Sequence, residues 1–191
     1  MKFLLQFFKD YKQTGAIAPS SRYLARGMVG ELQNRTRTGD ASPLNILELG
    51  AGTGPMTAEI LRNMRPADHL DVVEINRPFC EHILRTYGKD DLCLHNCDVR
   101  EFEPERSYDF IISSLPYENM PVEVGREIWN KKLALCAEGG CIVYFKYIKP
   151  SSFGNDYEKK IVERHLYHRR TVLMNLPPAR VYTLRVDEGE S

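Results

Sequence analysis

A short apolar segment followed by three closely spaced glycines decides the fold of this chain, where residues 45–55 read NILELGAGTGP. The run from Asn45 to Leu49 has the length and composition of a buried strand. Pro55 suits the first position of a helix, because its φ angle is already helical and its missing N–H would have no partner there. A strand, a glycine turn and a helix in immediate succession predict the first unit of an α/β sheet.

The same alternation of strand and helix continues along the chain. Helices are predicted over 55–64, 76–87 and 122–135, and they alternate with strands over 70–75, 92–95, 110–113 and 141–145. Two last strands, 171–176 and 180–186, are separated by a turn that contains two prolines. Strands connected through helices imply parallel pairing, whereas a tight turn implies an antiparallel pair. We therefore predict a doubly wound, Rossmann-like α/β fold, with a mostly parallel seven-stranded sheet that ends in an antiparallel hairpin.

The charge balance and the cysteines restrict the partners that we expect. Lys+Arg and Asp+Glu both number 26, whereas proteins that bind RNA usually carry a basic surplus, so the composition argues against a nucleic-acid partner. Five scattered cysteines are typical of reduced thiols in a cytoplasmic protein. Cys93 and Cys97 have a metal-like spacing, but no second Cys/His pair follows, and we expect no metal. No apolar run approaches the ~20 residues that cross a bilayer.

The glycine loop itself distinguishes between nucleotide-binding folds. A dinucleotide fingerprint requires Gly-x-Gly-x-x-Gly, whose third glycine would fall at Pro55, and the Gly-Lys-Ser/Thr of a P-loop is also missing. The loop instead reads Glu-x-Gly-x-Gly-x-Gly, beginning at Glu48. A carboxylate there would repel a pyrophosphate but would suit the ammonium group of S-adenosylmethionine, which carries no phosphate. The loop therefore predicts S-adenosylmethionine as the cofactor, and the final antiparallel hairpin matches the methyltransferase architecture.

Two further carboxylates follow predicted strands. Glu74 lies 20 residues after Gly54, at the spacing from which a carboxylate takes ribose hydroxyls. Asp98 comes after the third strand and is placed to accept a hydrogen bond from the adenine amino group. The alternatives are that Glu74 caps the next helix and that Asp98 is a solvated loop acid. With adjoining positions, these residues form the predicted cofactor-binding set: Ser20, Ser21, Glu48, Gly50, Gly52, Thr53, Gly54, Glu74, Ile75, Asp98, Val99 and Ser113.

Motifs outside the glycine loop resemble those of known methyltransferases. Residues 113–117 read SSLPY and are similar to the Asn-Leu-Pro-Tyr loop of adenine-N6 methyltransferases, with Ser114 at the position of the asparagine. A closer resemblance, to bacterial phospholipid N-methyltransferases, covers nearly the whole chain. It rests on GAIAPSS at 15–21, on Ser-x-Leu-Pro with the following Asn-Met-Pro at 119–121, and on NLPPARV at 175–181. Ribosomal adenine dimethylases resemble the core but carry a C-terminal helical domain, which we do not expect here.

The resemblance implies transfer of a methyl group from S-adenosylmethionine to the amine of phosphatidylethanolamine and its partly methylated forms, with S-adenosylhomocysteine as the product. The protein would mainly position and desolvate the two reactants. Tyr117 is the candidate for holding the amine, through its hydroxyl or its ring face, and plain packing is the alternative. Glu118 is the candidate proton acceptor, because an amine resembling that of Lys has a pKa around 10 and must lose a proton before it attacks.

The first residues indicate how such an enzyme would reach its substrate. Residues 1–34 are assigned to N-terminal helices and 35–191 to the methyltransferase domain. Within 2–13, an apolar stripe flanked by lysines suits a helix at an anionic membrane surface, or a helix that packs over the cofactor pocket. Ser20 or Ser21 would cap a second helix that runs through Leu32. A basic run over 159–170 would either contact lipid phosphates or form a solvated helix face. We expect a cytoplasmic protein at the inner membrane surface.

Two other functions remain alternatives to phospholipid methylation. An RNA adenine-N6 methyltransferase would fit the 113–117 loop, but the zero net charge opposes it. A membrane-binding protein with a vestigial cofactor site would fit the N-terminal stripe. The intact acidic residues Glu48, Glu74 and Asp98 oppose that alternative, because a site without a ligand has no need of them.

Overall fold

The protein is built around a central sheet of seven strands, which has helices packed on both of its faces. The computed structural model describes residues 21–37, 42–88, 92–117, 120–148 and 156–187. The helices are α1 (Arg22–Met28), α2 (Gly30–Arg37), α3 (Pro55–Asn63), α4 (Arg77–Tyr87), α5 (Val122–Leu135) and α6 (Asp156–His165). The strands are β1 (Asn45–Leu49), β2 (His69–Val73), β3 (Leu92–His95), β4 (Tyr108–Ser113), β5 (Cys136–Tyr147), β6 (Leu166–Val172) and β7 (Ala179–Arg185).

The strand order is β3-β2-β1-β4-β5-β7-β6, and it confirms the predicted fold class. Strands β1 to β5 are parallel, whereas β7 lies antiparallel between β5 and β6. The register places Leu49 opposite both Val73 and Ser113, so that β1, β2 and β4 end at one edge of the sheet. We call it the carboxyl edge. The strand order reverses between β1 and β4, which is the place where open α/β sheets bind their ligands.

Each face of the sheet has its own apolar core, because successive side chains of a strand point to opposite faces. Ile46 of β1 joins one core with Leu24 of α1 and Met56 of α3. Leu47, the next residue, joins the other core with Trp129 of α5. Burial on both faces explains why β1 is a nearly continuous apolar run rather than an alternating one.

The structure corrects the predicted elements in two places. The strand predicted over 171–176 is wrong, since β6 spans Leu166–Val172 and residues 173–178 form the turn. The second N-terminal helix is divided, because α1, capped by the Ser21 side chain at Leu24 N, ends at Met28 and α2 then begins at Gly30. The predicted domain boundary at 34 falls inside α2, and the division into two parts stays a prediction.

Some predictions for the N-terminal residues concern positions that the structure does not describe, and the predicted basic helix face is not formed. The interfacial helix predicted over 2–13 and Ser20 lie outside the described residues. The basic run over 159–170 does not form one helix face, because α6 ends at His165 and the remaining residues belong to β6. None of the helices in the described part of the chain is long and apolar enough to cross a membrane.

Candidate functional site

A cleft opens at the carboxyl edge, where the sequence places its candidate residues. Gly50 follows β1, Glu74 follows β2, and Asp98 follows the loop after β3. These three predicted residues lie together in the cleft, whose lining consists of Gly50, Val73, Glu74, Ile75, Cys97, Asp98, Val99, Leu115, Met120 and Ile128. The apolar contributions of Leu115, Met120 and Ile128 were missed by the sequence reasoning. Leu115 and Met120 lie in the loop that carries the resemblance, but Ile128 has no signal beyond its apolar position on α5.

The glycine loop needs its glycines for two different reasons. Gly50, Gly52 and Gly54 all have positive φ angles, of 78°, 57° and 86°, which strain any residue with a Cβ. A Cβ at Gly54 would also lie 2.7 Å from Tyr87 Cε2, so this glycine lets α3 start against α4. A Cβ at Gly52 would meet nothing within 4 Å. The backbone at Gly52 therefore borders open space that a ligand can approach.

Glu48 is fully buried at the base of the loop. Its Oε2 accepts a hydrogen bond from Thr57 Oγ1 of α3 at 2.7 Å. Its Oε1 is buried and has no hydrogen-bond partner within the described residues. Burial raises the pKa of Glu48 to about 8, and the negative charge of nearby Glu74 adds to the shift. A buried acceptor without a partner is costly, and a cationic ligand group would satisfy it.

Glu74 fastens the glycine loop to the end of β2. Its Oε2 accepts from Gly52 N at 2.9 Å and its Oε1 accepts from Asn76 N at 2.8 Å. Helix α4 is capped by Asn76, whose side chain accepts from Phe79 N, and the suggestion that Glu74 is the helix cap is therefore wrong. Burial raises the pKa of Glu74. Each carboxylate oxygen keeps further lone pairs for hydroxyl donors.

Asp98 is buried rather than solvated, which corrects the loop-acid alternative. Its carboxylate accepts from the backbone N–H of Arg100 and pairs with the Arg100 guanidinium, with 2.7 Å between Oδ2 and an Nη atom. Burial acts in the opposite direction, but these contacts with Arg100 hold the pKa of Asp98 below its usual value. Asp98 therefore remains an ionised acceptor at the wall of the cleft. Arg100 was not among the predicted residues.

Tyr117 points away from the cleft and into the core, which corrects its predicted role at the amine. Its hydroxyl lies 2.7 Å from Ser113 Oγ, and both atoms are buried. Its ring stacks on Trp129 at 5.4 Å between centroids, and Lys132 Nζ lies 4.4 Å from its centroid. Tyr117 is only 8% exposed, so that little of its ring or hydroxyl is open to a substrate in this conformation. The packing alternative therefore describes Tyr117, while Glu118 lies outside the described residues.

A second cavity, of about 340 Å³, lies beside the carboxyl end of β5. We call it the β5–α6 cavity, and its lining is Tyr144, Lys146, Tyr147, Ile148, Glu158, Lys159, Val162, Glu163, Arg180 and Tyr182. Inside it, Glu158 Oε1 accepts from Tyr144 Oη and Glu158 Oε2 accepts from Lys146 Nζ, both at 3.0 Å. Acidic, basic and aromatic groups in one cavity suit a ligand that carries both charges.

Known proteins match this arrangement in sequence and in fold. A family model described as a methyltransferase domain matches residues 46–140, which include the glycine loop and the three acidic residues. The solved N-methyltransferase NodS from Bradyrhizobium japonicum, in complex with S-adenosyl-l-homocysteine, has a TM-score of 0.67 at 14% identity, over 87% of this chain and 88% of that one. The chain is a class I S-adenosylmethionine-dependent methyltransferase.

Two curated relatives are similar to the methyltransferase over most of its length. The ornithine lipid N-methyltransferase of Singulisphaera acidiphila is 27% identical over 198 residues, which cover 96% of this chain and 94% of the relative. The tRNA1(Val) (adenine(37)-N6)-methyltransferase of a Flavobacteriaceae bacterium is 28% identical over 158 residues, which cover 72% of this chain and 66% of the relative. The first similarity therefore extends beyond the glycine loop to both ends of the described chain.

The carboxyl edge of the methyltransferase fits the cofactor. The partnerless Glu48 Oε1 suits the ammonium group, and the open side of Gly52 admits a ligand close to the backbone. Glu74 and Asp98 keep acceptor capacity for ribose hydroxyls and the adenine amino group. The prediction of S-adenosylmethionine as the cofactor is confirmed, whereas the assignment of single residues to parts of the cofactor stays a prediction. Of the remaining predicted residues, Ser21 caps α1 and Ser113 binds Tyr117.

Proposed function

We propose that the methyltransferase transfers the methyl group of S-adenosylmethionine to an amine of a lipid headgroup. The observation that carries this proposal is the full-length similarity to an ornithine lipid N-methyltransferase. The motifs at 15–21 and 175–181, which resemble those of phospholipid N-methyltransferases, support the same substrate class. Within that class, we propose phosphatidylethanolamine and its partly methylated forms as substrates, and an ornithine headgroup is the competing substrate.

The residues of the chain would bind and orient the reactants. Glu48 would hold the ammonium of the cofactor, Glu74 the ribose hydroxyls and Asp98 the adenine amino group. The bound cofactor supplies a methyl group on a sulfonium. An acceptor amine would attack that methyl carbon only after losing a proton, since an alkyl amine has a pKa around 10, and the carbon–sulfur bond would break as S-adenosylhomocysteine leaves. Desolvation at the cleft lowers an amine's pKa and so favours the neutral nucleophile.

The β5–α6 cavity would hold the headgroup. Arg180 offers a cationic donor for a phosphate or carboxylate, and Glu158, whose oxygens already accept from Tyr144 and Lys146, keeps lone pairs for an ammonium. The cavity lies near the end of β4, because Tyr144, which lines it, packs edge-on against Tyr117 at 6.1 Å and the Tyr117 hydroxyl lies 2.7 Å from Ser113 Oγ. A zwitterionic aminolipid headgroup therefore matches the charges that line the cavity.

Adenine methylation in RNA is the second candidate, because one relative bears that activity in its name. Two features oppose it. Ser114 stands where the adenine-N6 loop has an amide, and its Oγ is buried without a partner among the described residues. Tyr117 stacks on Trp129 in the core, so that it is not available to stack on a flipped base. Lipid methylation is the function that these side chains favour.

A direct comparison of acceptors tests the proposed function. The full chain is incubated with methyl-labelled S-adenosylmethionine and, side by side, vesicles containing phosphatidylethanolamine, vesicles containing ornithine lipid, and transfer RNA. We expect label in the lipid fraction, with release of an equal amount of unlabelled S-adenosylhomocysteine, and no label in the RNA. Label confined to RNA would replace the proposal by its alternative, and label confined to ornithine lipid would correct the headgroup only.

Arg180→Gln should weaken the binding of the lipid acceptor without affecting the binding of the cofactor. Loss of one charge-assisted hydrogen bond costs about 1.5–3 kcal/mol, so the KM for the lipid should rise roughly 10- to 100-fold. The dissociation constant for S-adenosylhomocysteine should stay unchanged, because Arg180 lines only the β5–α6 cavity among the two cavities described. Arg62→Gln, at an exposed arginine of α3, is the matched control. An unchanged lipid KM would remove the cavity from the acceptor site.

A further inference from the structure

The turn between β6 and β7 displays large apolar side chains to solvent. Leu173, Met174 and Leu176 are 74%, 68% and 83% exposed. Single exposed aliphatic residues are ordinary on protein surfaces, but three within four positions form a patch of the kind that marks an interaction site. We call residues 173–178 the hairpin turn.

Hydrogen bonds to a buried side chain and to a backbone carbonyl fix the conformation of the hairpin turn. Asn175, between the exposed residues, is buried. Its Oδ1 accepts from Ser21 N at 3.2 Å, and its Nδ2 donates to the carbonyl of Pro177 at 2.7 Å. The Pro178 carbonyl accepts from Ile148 N at 2.8 Å. The apolar side chains are therefore exposed because the backbone is braced in a conformation that presents them.

The hairpin turn lies beyond the carboxyl edge of the sheet. Ser113, the last residue of β4, pairs with Tyr144, and β5 then continues for three more residues to Tyr147, opposite Ala179 at the start of β7. At about 3.3 Å per residue, the turn begins roughly 10 Å beyond the end of β4. It therefore projects from the same edge that carries the cleft and the β5–α6 cavity.

Positive charge flanks the hairpin turn. Residues 166–186 contain four arginines and no acidic residue. Arg169 and Arg170, on the outer strand β6 just before the turn, are exposed, as is Arg22 at the start of α1 beside Ser21. An apolar tip flanked by exposed arginines matches the interface of a bilayer, where apolar side chains enter the acyl boundary and cations meet anionic headgroups.

We propose that the hairpin turn docks the methyltransferase on an anionic lipid surface, with Leu173, Met174 and Leu176 inserted and Arg169 and Arg170 at the headgroups. Docking in this orientation turns the carboxyl edge toward the bilayer, so that a headgroup reaches the active cleft without leaving the membrane. The proposal rests on the proposed function only for this choice of a lipid surface as the partner.

Vesicle partition tests the docking without any methyl transfer. Full-length chain is sedimented with vesicles of equal parts phosphatidylglycerol and phosphatidylethanolamine. A variant with Leu173→Ser, Met174→Ser and Leu176→Ser should bind roughly 10- to 100-fold more weakly, since three apolar side chains no longer leave water. Its thermal unfolding should match the wild type, because the replaced side chains are exposed. The control variant replaces Leu84, Leu166 and Tyr167 by Ser, exposed residues away from the turn, and should partition normally.

A fluorescent reporter locates the contact independently. The chain has one tryptophan, Trp129, which is buried, so Leu176→Trp adds a second emitter at the turn alone. Vesicles should shift its emission to the blue, and lipids brominated on the acyl chains should quench it. Unchanged partition of the triple-serine variant, a change in its oligomeric state, or quenching that requires deletion of residues 1–20 would each overturn the docking.

Activity on a soluble acceptor separates the docking from the proposed function. The triple-serine variant should methylate a short-chain aminolipid below its micelle concentration at the wild-type rate, while losing activity on vesicles. Turn-dependent partition without methylation of any lipid would leave the docking in place and overturn only the proposed function. Methylation of lipid together with vesicle partition that does not depend on the hairpin turn would support the proposed function and overturn the docking.

Discussion

Binding of S-adenosylhomocysteine to the methyltransferase should tighten as the pH rises toward about 8 and should release a proton. Burial raises the pKa of Glu48 to about 8, so that the side chain is mainly protonated at neutral pH. In the proposed contact, the ammonium of the ligand would require the carboxylate form of Glu48 and would lower the pKa of Glu48 once bound. Below that pKa, the affinity should therefore fall by up to about tenfold for each pH unit. Calorimetry in two buffers of different ionisation enthalpy measures the released proton.

Glu48→Gln is the control that isolates this carboxyl group. The amide keeps an acceptor for Thr57 but cannot ionise, so the variant should bind the ligand weakly and with no pH dependence over the same range. Stability without ligand should respond in the opposite sense. Because the pKa of Glu48 is raised on folding, its contribution is complete below the unfolded value and is lost as the pH rises through about 8. Wild-type affinity that is independent of pH would separate Glu48 from the ammonium.

The fold and the cofactor cleft could be predicted because their signals are local. The strand at 45–49 carries its own apolar run, and three glycines within five residues demand the positive φ angles that the structure has. Glu74 and Asp98 follow strands, and parallel strands end at one edge whatever the rest of the chain does. These residues therefore come together once the alternation of strand and helix is recognised.

The proposed acceptor side could not be predicted in the same way, because its geometry depends on contacts between distant elements. The sequence places Tyr117 in a loop at the cleft, but Trp129 of α5 and Tyr144 of β5 provide the apolar environment that draws its ring inward. The β5–α6 cavity likewise forms only when Glu158 of α6 meets Lys146 of β5. Asn175, in the turn after β6, accepts a hydrogen bond from Ser21 N, 154 positions away in sequence.

The division between the two halves of the sheet has a functional consequence. The cleft beside β1, β2 and β3 holds the acidic residues that match the cofactor, whereas the β5–α6 cavity and the hairpin turn belong to the half beyond β4. The strand order reverses between these halves, which leaves a crevice at their junction. A methyl group moving across that junction would pass from a soluble cofactor to an acceptor presented from the other side.

Glu74→Ala should weaken the binding of S-adenosylhomocysteine by about 100-fold or more, since the two hydrogen bonds that we propose from ribose hydroxyls to this charged acceptor would each be worth about 1.5–3 kcal/mol. The effect has a second source, because Glu74 also accepts from Gly52 N and Asn76 N and so fixes the loop that lines the cleft. Calorimetry measures the affinity, and thermal unfolding shows whether the fold persists, as we expect from the intact sheet.

Two companion variants separate those sources. Glu74→Gln keeps one acceptor oxygen but turns an amide NH₂ toward a backbone N–H, so its affinity should lie between those of the wild type and Glu74→Ala. Glu81→Ala removes an exposed carboxylate of α4 and should leave the affinity unchanged. If Glu74→Ala bound the ligand normally while unfolding at a lower temperature, the role of Glu74 would be limited to fixing the conformation of the glycine loop. The ribose would then require another acceptor at the carboxyl edge.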